Sequence, residues 1–251
     1  VSQKTTDPAV RYYPEKAVSG MTGIDGTLQF FAHANAVLED GWTVCDIGAG
    51  RGAAHRDDKV RFRRELRRFN GRAGRVIGLD VDEAVATNPV LDEWHLIGSD
   101  GKLPLGDASV DMVLSDFTFE HIPDPALFAA EIARILRPGG WLCARTPNKW
   151  GYVSLGARIV PERLHGRLLA RLQPGRKAED IFPTHYLLNT RAALARHFPD
   201  EDWDRHVQMW SPEPAYCGNR RWLWAIARFV QAVLPRGMAT TIHFYARKRG
   251  A

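Results

Sequence analysis

The sequence predicts an α/β fold: a doubly wound, mostly parallel, seven-stranded sheet flanked by helices, with a lid inserted after the fifth strand. Two observations carry this. Short β-rich runs alternate with helical patterns through the first 150 residues, which is the order a parallel sheet with crossover helices requires. Glycines or acids close several of those runs, at the strand ends where ligands of such sheets bind. At 251 residues one domain spanning 1–251 suffices, opened by a helical cap over 1–40.

The elements follow in order. Residues 28–38 form a helix with Leu28, Phe31, Ala32, Val37 and Leu38 broadly on one side and Gly41 after its end. Residues 42–47 form the first strand and end in a glycine cluster. A basic helix covers 60–69, a second strand 75–80, a third 94–97 and a fourth 110–115. Residues 125–136 form an amphipathic helix with Pro125 at its start and a Pro-Gly-Gly stop at 138–140, the expected punctuation. The fifth strand covers 141–146. The stretch 148–188 lacks a clear period and carries Pro161, Pro174 and Pro183, which suits a lid over the strand ends. A helix through Phe198, a strand over 207–210, a helix over 222–234 and a strand over 240–248 complete the chain.

Composition narrows the class. Hydrophobic residues are 45% and charged residues 25%, ordinary for a globular chain. Cys45, Cys143 and Cys217 are scattered without a CxxC, which excludes a disulfide framework and a zinc knuckle and fits a reducing cytoplasm. No apolar run reaches the ~18 residues of a membrane span, and residues 1–13 are polar with no secretory core. The net charge is +5 but uneven. Residues 51–75 hold ten Lys/Arg against three acids, and 218–251 hold seven against none. Such segments suit a polyanion, an anionic surface or a phosphorylated small molecule, or only solvated helix faces.

Four features fall in chain order at strand ends. Residues 44–52 read strand, acid, then alternate glycines, with Asp46, Gly48, Gly50 and Gly52; such glycines allow a sharp turn and close ligand approach. Asp80 closes the second strand, where a carboxylate can accept from both hydroxyls of a ribose. Asp100 follows the third strand and can reach an adenine amine. Ser115, Asp116 and Phe117 close the fourth, just before His121. A nicotinamide dinucleotide is the rival ligand, but its acid lies ~20 residues after the glycines. Asp46 and Asp80 are 34 residues apart, and no hydride-transfer set follows.

With DIGAGRG at 46–52, VIGLD at 76–80, LPLGDASVD at 103–111, EHIPDP at 120–125 and ILRPGGW at 135–141, the chain resembles the class I S-adenosylmethionine-dependent methyltransferases. The likeness is to their small-molecule, ubiquinone-biosynthesis-like members, and it covers about residues 38–148. It implies a Rossmann-like sheet and S-adenosylmethionine as methyl donor, with S-adenosylhomocysteine as product. It also implies residue roles. Gly48, Ala49 and Gly50 would pack on the methionine part, with Asp46 near its amino group. Asp80 would hold the ribose, with Val81 beside the adenine. Asp100 would face the adenine amine, with Gly101 lining that pocket. Ser115 and Asp116 would border the methionine end, and Phe117 would flank the sulfonium. The 34-residue spacing exceeds the family's usual span, so the helix after the glycines is expected to start late, after a turn around 53–58.

Methyl transfer to an oxygen is helped by a base, and His121 and His185 are the candidates because histidine titrates near neutrality. Trp150, Tyr152 and Tyr186 would supply aromatic walls for the acceptor. Arg158, Arg163, Arg167, Arg171 and Arg176 in the lid would suit an acidic or phosphorylated small molecule. Three other readings compete. An RNA substrate would use the basic segments, but Phe62 and Phe69 sit at helix-core spacing rather than as stacking platforms, so nucleic acid is not the expected partner. A regulatory subunit would bind the cofactor without turnover. A peripheral membrane role would use Trp222, Trp224 and Arg228, but residues 222–234 read as apolar nearly all round, as in a helix packed on the sheet.

Overall fold

The computed structural model describes residues 8–159, 182–214, 217–218 and 220–250. The expected lid therefore lies partly outside the described residues, and Arg163, Arg167, Arg171 and Arg176 lie outside with it.

The strands are β1 (Thr43–Ile47), β2 (Arg75–Asp80), β3 (Glu93–Leu96), β4 (Val110–Asp116), β5 (Leu136–Pro147), β6 (Trp203–Trp210) and β7 (Thr241–Lys248). They form one seven-stranded sheet in the order β3-β2-β1-β4-β5-β7-β6. β1 to β5 run parallel, whereas β7 is antiparallel to both β5 and β6. Strand order reverses between β1 and β4, so a crevice opens above their carboxyl ends. The helices of the described residues are α1 (Ala9–Tyr12), α2 (Lys16–Ser19), α3 (Gly26–Ala36), α4 (Ala53–Asp57), α5 (Arg61–Arg67), α6 (Pro125–Ile135), α7 (Tyr152–Ile159), α8 (Arg191–His197) and α9 (Arg221–Val233).

Alternation along each strand splits the core in two. Cys45, Ile77, Val113 and Phe244 face one side and pack with Phe128 and Ile132 of α6 and Leu194 of α8. Val44, Val76, Met112 and Leu114 face the other and pack with Phe30 and Phe31 of α3. Each such side chain contributes roughly 1.5–3 kcal/mol on burial. Side-chain caps start two of the helices. Asp25 accepts from the Thr27 and Leu28 amides to start α3, and Asp124 accepts from Ala126 and Leu127 ahead of Pro125 in α6. The segments 103–111 and 134–137 brace one another. Arg134 donates to the Leu103 and Leu105 carbonyls, and Arg137 donates to the Ala108 carbonyl and to Asp111.

Three segments differ from expectation. The turn expected around 53–58 is the short helix α4, and α5 follows it. Two arginines of this basic stretch are committed internally. Arg63 bonds Asp58 and Asp25, and Arg67 bonds Asp58 and Thr27. Burial pushes the Asp58 carboxyl up, but its hydrogen bonds from Arg63 and the Val60 amide outweigh that and hold it at about 2. The extra length is thus a charged clamp tying α5 to α3. Next, β5 starts at Leu136, which pairs with Val110 across a register shift, instead of at Trp141. Gly139 at φ +81° and Gly140, whose Cβ would lie 2.7 Å from the Asp111 carbonyl, let the chain bend there.

The third difference is α9. It is amphipathic, not apolar all round. Trp224 is buried (6% exposed) and packs with Tyr12 and Cys217, while Trp222, Ile226, Phe229 and Val233 point outward. Sequence period alone missed this because Leu223, Ala225, Ala227 and Val230 fill the flanks with further apolar residues.

Candidate active site

Five loops converge at the carboxyl ends of β1 to β5. After β1 the Gly48 amide donates to the Leu79 carbonyl (2.7 Å), and the Ala49 amide reaches it at 3.3 Å, so the glycine loop folds over the end of β2. Gly48 sits at φ +77°, and a Cβ there would lie 2.1 Å from Thr118 Oγ1; only glycine fits. Thr118 in turn donates to the Ile47 carbonyl. Gly50 sits at φ +49°, and a Cβ built on it meets nothing within 4 Å. Its bare backbone therefore faces the crevice.

Asp80 is 8% exposed and braces this loop. Oδ2 accepts from the Gly50 amide (2.8 Å) and Oδ1 from the Asp82 amide (3.0 Å). A carboxylate offers about four acceptor positions, so half its capacity remains for a diol. Asn88, which the sequence did not single out, donates to the Ala49 and Gly50 carbonyls and holds the loop from the far side. Beside the crevice on this flank, Val81 is 64% exposed, Asp100 is exposed, and Gly101 turns at φ +71°.

On the other side lie two acids. No side chain or amide among the described residues is hydrogen-bonded to the Asp46 carboxylate. Burial, then the nearby charges of Asp116 and Asp80, push its pKa to about 7. Asp116 is held by Arg145 in a bidentate pair, Nε to Oδ1 at 2.7 Å and Nη2 to Oδ2 at 2.8 Å. Arg145 is buried and lies over the rings of Phe117 (4.6 Å), Phe30 and Phe31. Phe117 itself adopts φ +59°, a conformation that a bulky residue takes only when its surroundings impose it. Ser115 is completely buried, and its hydroxyl has no hydrogen-bond partner among the described residues.

The segment after β4, which carries His121, meets residues 182–186. His121 Nδ1 lies 2.7 Å from the Pro183 carbonyl, and its ring packs against Phe182. A carbonyl can only accept, so Nδ1 carries a proton, which in the neutral imidazole leaves Nε2 as the acceptor. The His185 and Tyr186 amides donate to the Glu120 carbonyl, which brings the segments of both candidate bases together. The His185 side chain is exposed. Glu120 is buried, accepts from Thr146 and has its pKa raised by that burial. Trp150 is exposed, and Tyr152 accepts from Gln231 of α9 through its hydroxyl. Arg145 and Glu120 were legible in principle. A charge inside an apolar strand or just after one is costly unless paired, and Asp116 and Thr146 are the partners.

A glycine loop braced by the acid of the next strand, beside a partner-free carboxylate, defines a nucleoside-binding α/β domain. The comparisons make it specific. A methyltransferase-domain family model matches residues 45–144. A probable S-adenosylmethionine-dependent methyltransferase of Mycolicibacterium smegmatis is 46% identical over 82 residues, 31% of each chain. Dimethylglycine N-methyltransferase of Parasynechococcus marenigrum is 29% identical over 156 residues, 61% of this chain and 54% of that one. Ubiquinone biosynthesis O-methyltransferase of Hydrogenovibrio crunogenus is 27% identical over 115 residues, 43% of each. The chain thus spans between a third and about a half of these relatives' own length. An S-adenosylmethionine-dependent methyltransferase of Mesorhizobium loti shares the fold, with TM-score 0.51 and 19% identity over 90% of this chain and 100% of that one. Residues 45–144 thus carry a methyltransferase domain, and over this part the chain is similar to S-adenosylmethionine-dependent methyltransferases. Among the described residues no helix is long and apolar enough to cross a membrane, and no group of His, Cys, Asp and Glu could hold a metal.

Proposed function

We propose that the protein transfers the methyl group of S-adenosylmethionine to the oxygen of a small-molecule acceptor. The observation that carries the cofactor half is the pair of acids at the ends of β1 and β2. Asp46, partner-free and partly protonated, suits the ammonium of the methionine part. Asp80 already grips Gly50 and has acceptor positions left for the ribose. The open backbone at Gly50 leaves room for the ligand to touch the loop. Val81, Asp100 and Gly101 would edge the adenine, and Phe117, held above Arg145, would flank the sulfonium.

The sulfonium supplies an activated methyl group, and the protein has to align the acceptor and keep water away. Such alignment is worth ~7–11 kcal/mol. For a hydroxyl acceptor the O–H proton passes to a base as the methyl–oxygen bond forms and the methyl–sulfur bond breaks, leaving a neutral thioether. His121 is favoured over His185 because its Nδ1–H bond to Pro183 fixes the ring and leaves Nε2 basic. The named relatives methylate both nitrogen and oxygen, so the acceptor atom is read from the product. Two measurements test the assignment. Asp80→Ala is expected to abolish S-adenosylhomocysteine binding by calorimetry; unchanged affinity refutes the site. With labelled methyl donor and a hydroxyl acceptor, His121→Ala should cost ~10²–10⁴-fold in turnover, and a loss under about threefold removes the base role.

A further inference from the structure

We propose that α9 is a docking surface for an anionic lipid bilayer. Its outward side chains are Trp222, Ile226, Phe229 and Val233, each between 53% and 67% exposed. At ~100° per residue their spacing of four, three and four keeps all of them within an arc of about 60°. Directly opposite, Trp224 stacks on Tyr12 and donates to the Gly218 carbonyl, and Gln231 donates to Tyr152 and to the Pro212 carbonyl. The inner side is therefore fully engaged, and the helix cannot roll to bury its outer stripe without losing those bonds. An exposed row of one tryptophan, one phenylalanine and two β-branched residues is costly in water.

Charge says what covers it. Between Cys217 and Met238 the sequence holds Arg220, Arg221, Arg228 and Arg236 and no acidic residue. All four arginines are exposed. Arg220 precedes the helix, Arg221 opens it and Arg236 follows it, so positive charge flanks the stripe at its two ends. Arg228 turns away from the stripe, with its guanidinium over Tyr12 and Tyr13 on the side where Tyr12 stacks on Trp224. A protein partner with an apolar groove would not need arginines at both ends of the stripe. A bilayer with anionic headgroups does: bulky apolar side chains enter the acyl boundary while arginines meet the headgroups.

Placement ties this surface to the site. α9 connects the end of β6 to the start of β7, where Trp210 pairs with Thr241, and Thr241 in turn with Pro147 at the carboxyl end of β5. Asn148, just past β5, donates to the Gly237 and Ala239 carbonyls. The stripe is thus mounted on the rim around the candidate acceptor mouth. A lipid-soluble acceptor would reach that rim from the bilayer; this consequence, unlike the docking itself, rests on the methyl transfer proposed above.

The test is cosedimentation of the whole chain with phosphatidylcholine vesicles, with and without phosphatidylglycerol. The wild type should pellet with the anionic vesicles, more weakly with neutral ones, and less as salt rises. Ile226→Glu and Phe229→Glu should each lower partitioning by about tenfold or more, while S-adenosylhomocysteine affinity and melting temperature stay at wild-type values. Failure of the wild type to pellet, or equal pelleting by the variants, overturns the proposal. So does a concentration-dependent dimer in sedimentation equilibrium that Phe229→Glu abolishes, because a second copy would then be the occupant. Loss of S-adenosylhomocysteine binding by the wild type would instead strike the methyltransferase site and leave the docking result standing.

Discussion

Asp46 is expected to make cofactor binding proton-linked. Its carboxyl titrates near 7 instead of the reference 3.8 because burial and the charges of Asp116 and Asp80 oppose ionisation. Between about pH 4 and pH 7 the folded protein holds a proton that the unfolded chain has lost. The resulting stability is complete below about pH 4 and disappears as pH rises through 7, a swing of roughly 4 kcal/mol at most. A ligand ammonium against this carboxylate reverses the preference and expels the proton. At pH 6 about one molecule in eleven carries the ionised acid, and at pH 8 about ten in eleven. Affinity for S-adenosylhomocysteine should therefore rise about tenfold over that range in the wild type relative to Asp46→Asn. The comparison with the variant removes the ligand amine's own titration, which is common to both. Calorimetry at pH 6 in buffers of different ionisation enthalpy should show close to one proton released by the wild type and none attributable to this site in Asp46→Asn. Equal pH profiles for the two proteins would refute an ammonium contact at Asp46.

Three further outcomes are expected. Gly48→Ala must hold a side chain at φ +77° and displace Thr118, so urea denaturation should show a loss of about 2 kcal/mol or more; pairing it with Thr118→Ala should recover part of that, and a neutral Gly48→Ala would contradict the loop geometry. Asp116→Ala leaves Arg145 buried and unpaired, which should cost about 3–5 kcal/mol in the same assay, and a loss under 1 kcal/mol would mean that the pair is not holding the β4–β5 end. His243 is buried with no hydrogen-bond partner among the described residues, and burial followed by the Arg145 charge lowers its pKa to about 3. The unfolded chain takes up a proton below about pH 6.5 that the folded one refuses, so stability contributed by neutral His243 is lost as pH falls towards 3. His243→Phe should flatten the drop between pH 6.5 and 4.5 by about 2–3 kcal/mol, and an unchanged slope would show that the ring finds a proton acceptor on folding.

What the sequence determined by itself was the part written locally. The existence of all seven strands, though not where β5 and β6 begin, and the acids and glycines at the ends of β1 and β2 follow from short-range period, turn chemistry and strand-end placement. Burial patterns repeat every two or 3.6 residues, so they survive in a one-dimensional reading. Tertiary structure alone decided which charges meet. Asp58 serves Arg63 and Arg67, while Asp116 lies across the β4–β5 pair from Arg145, 29 residues along the chain. It also decided that the glycine loop is braced by Asn88, that His121 and Pro183 fix one ring between them, and that α9 turns Trp224 inward and Phe229 outward. Those outcomes depend on long-range register and on which side of an element finds a neighbour, and neither leaves a periodic trace along the chain.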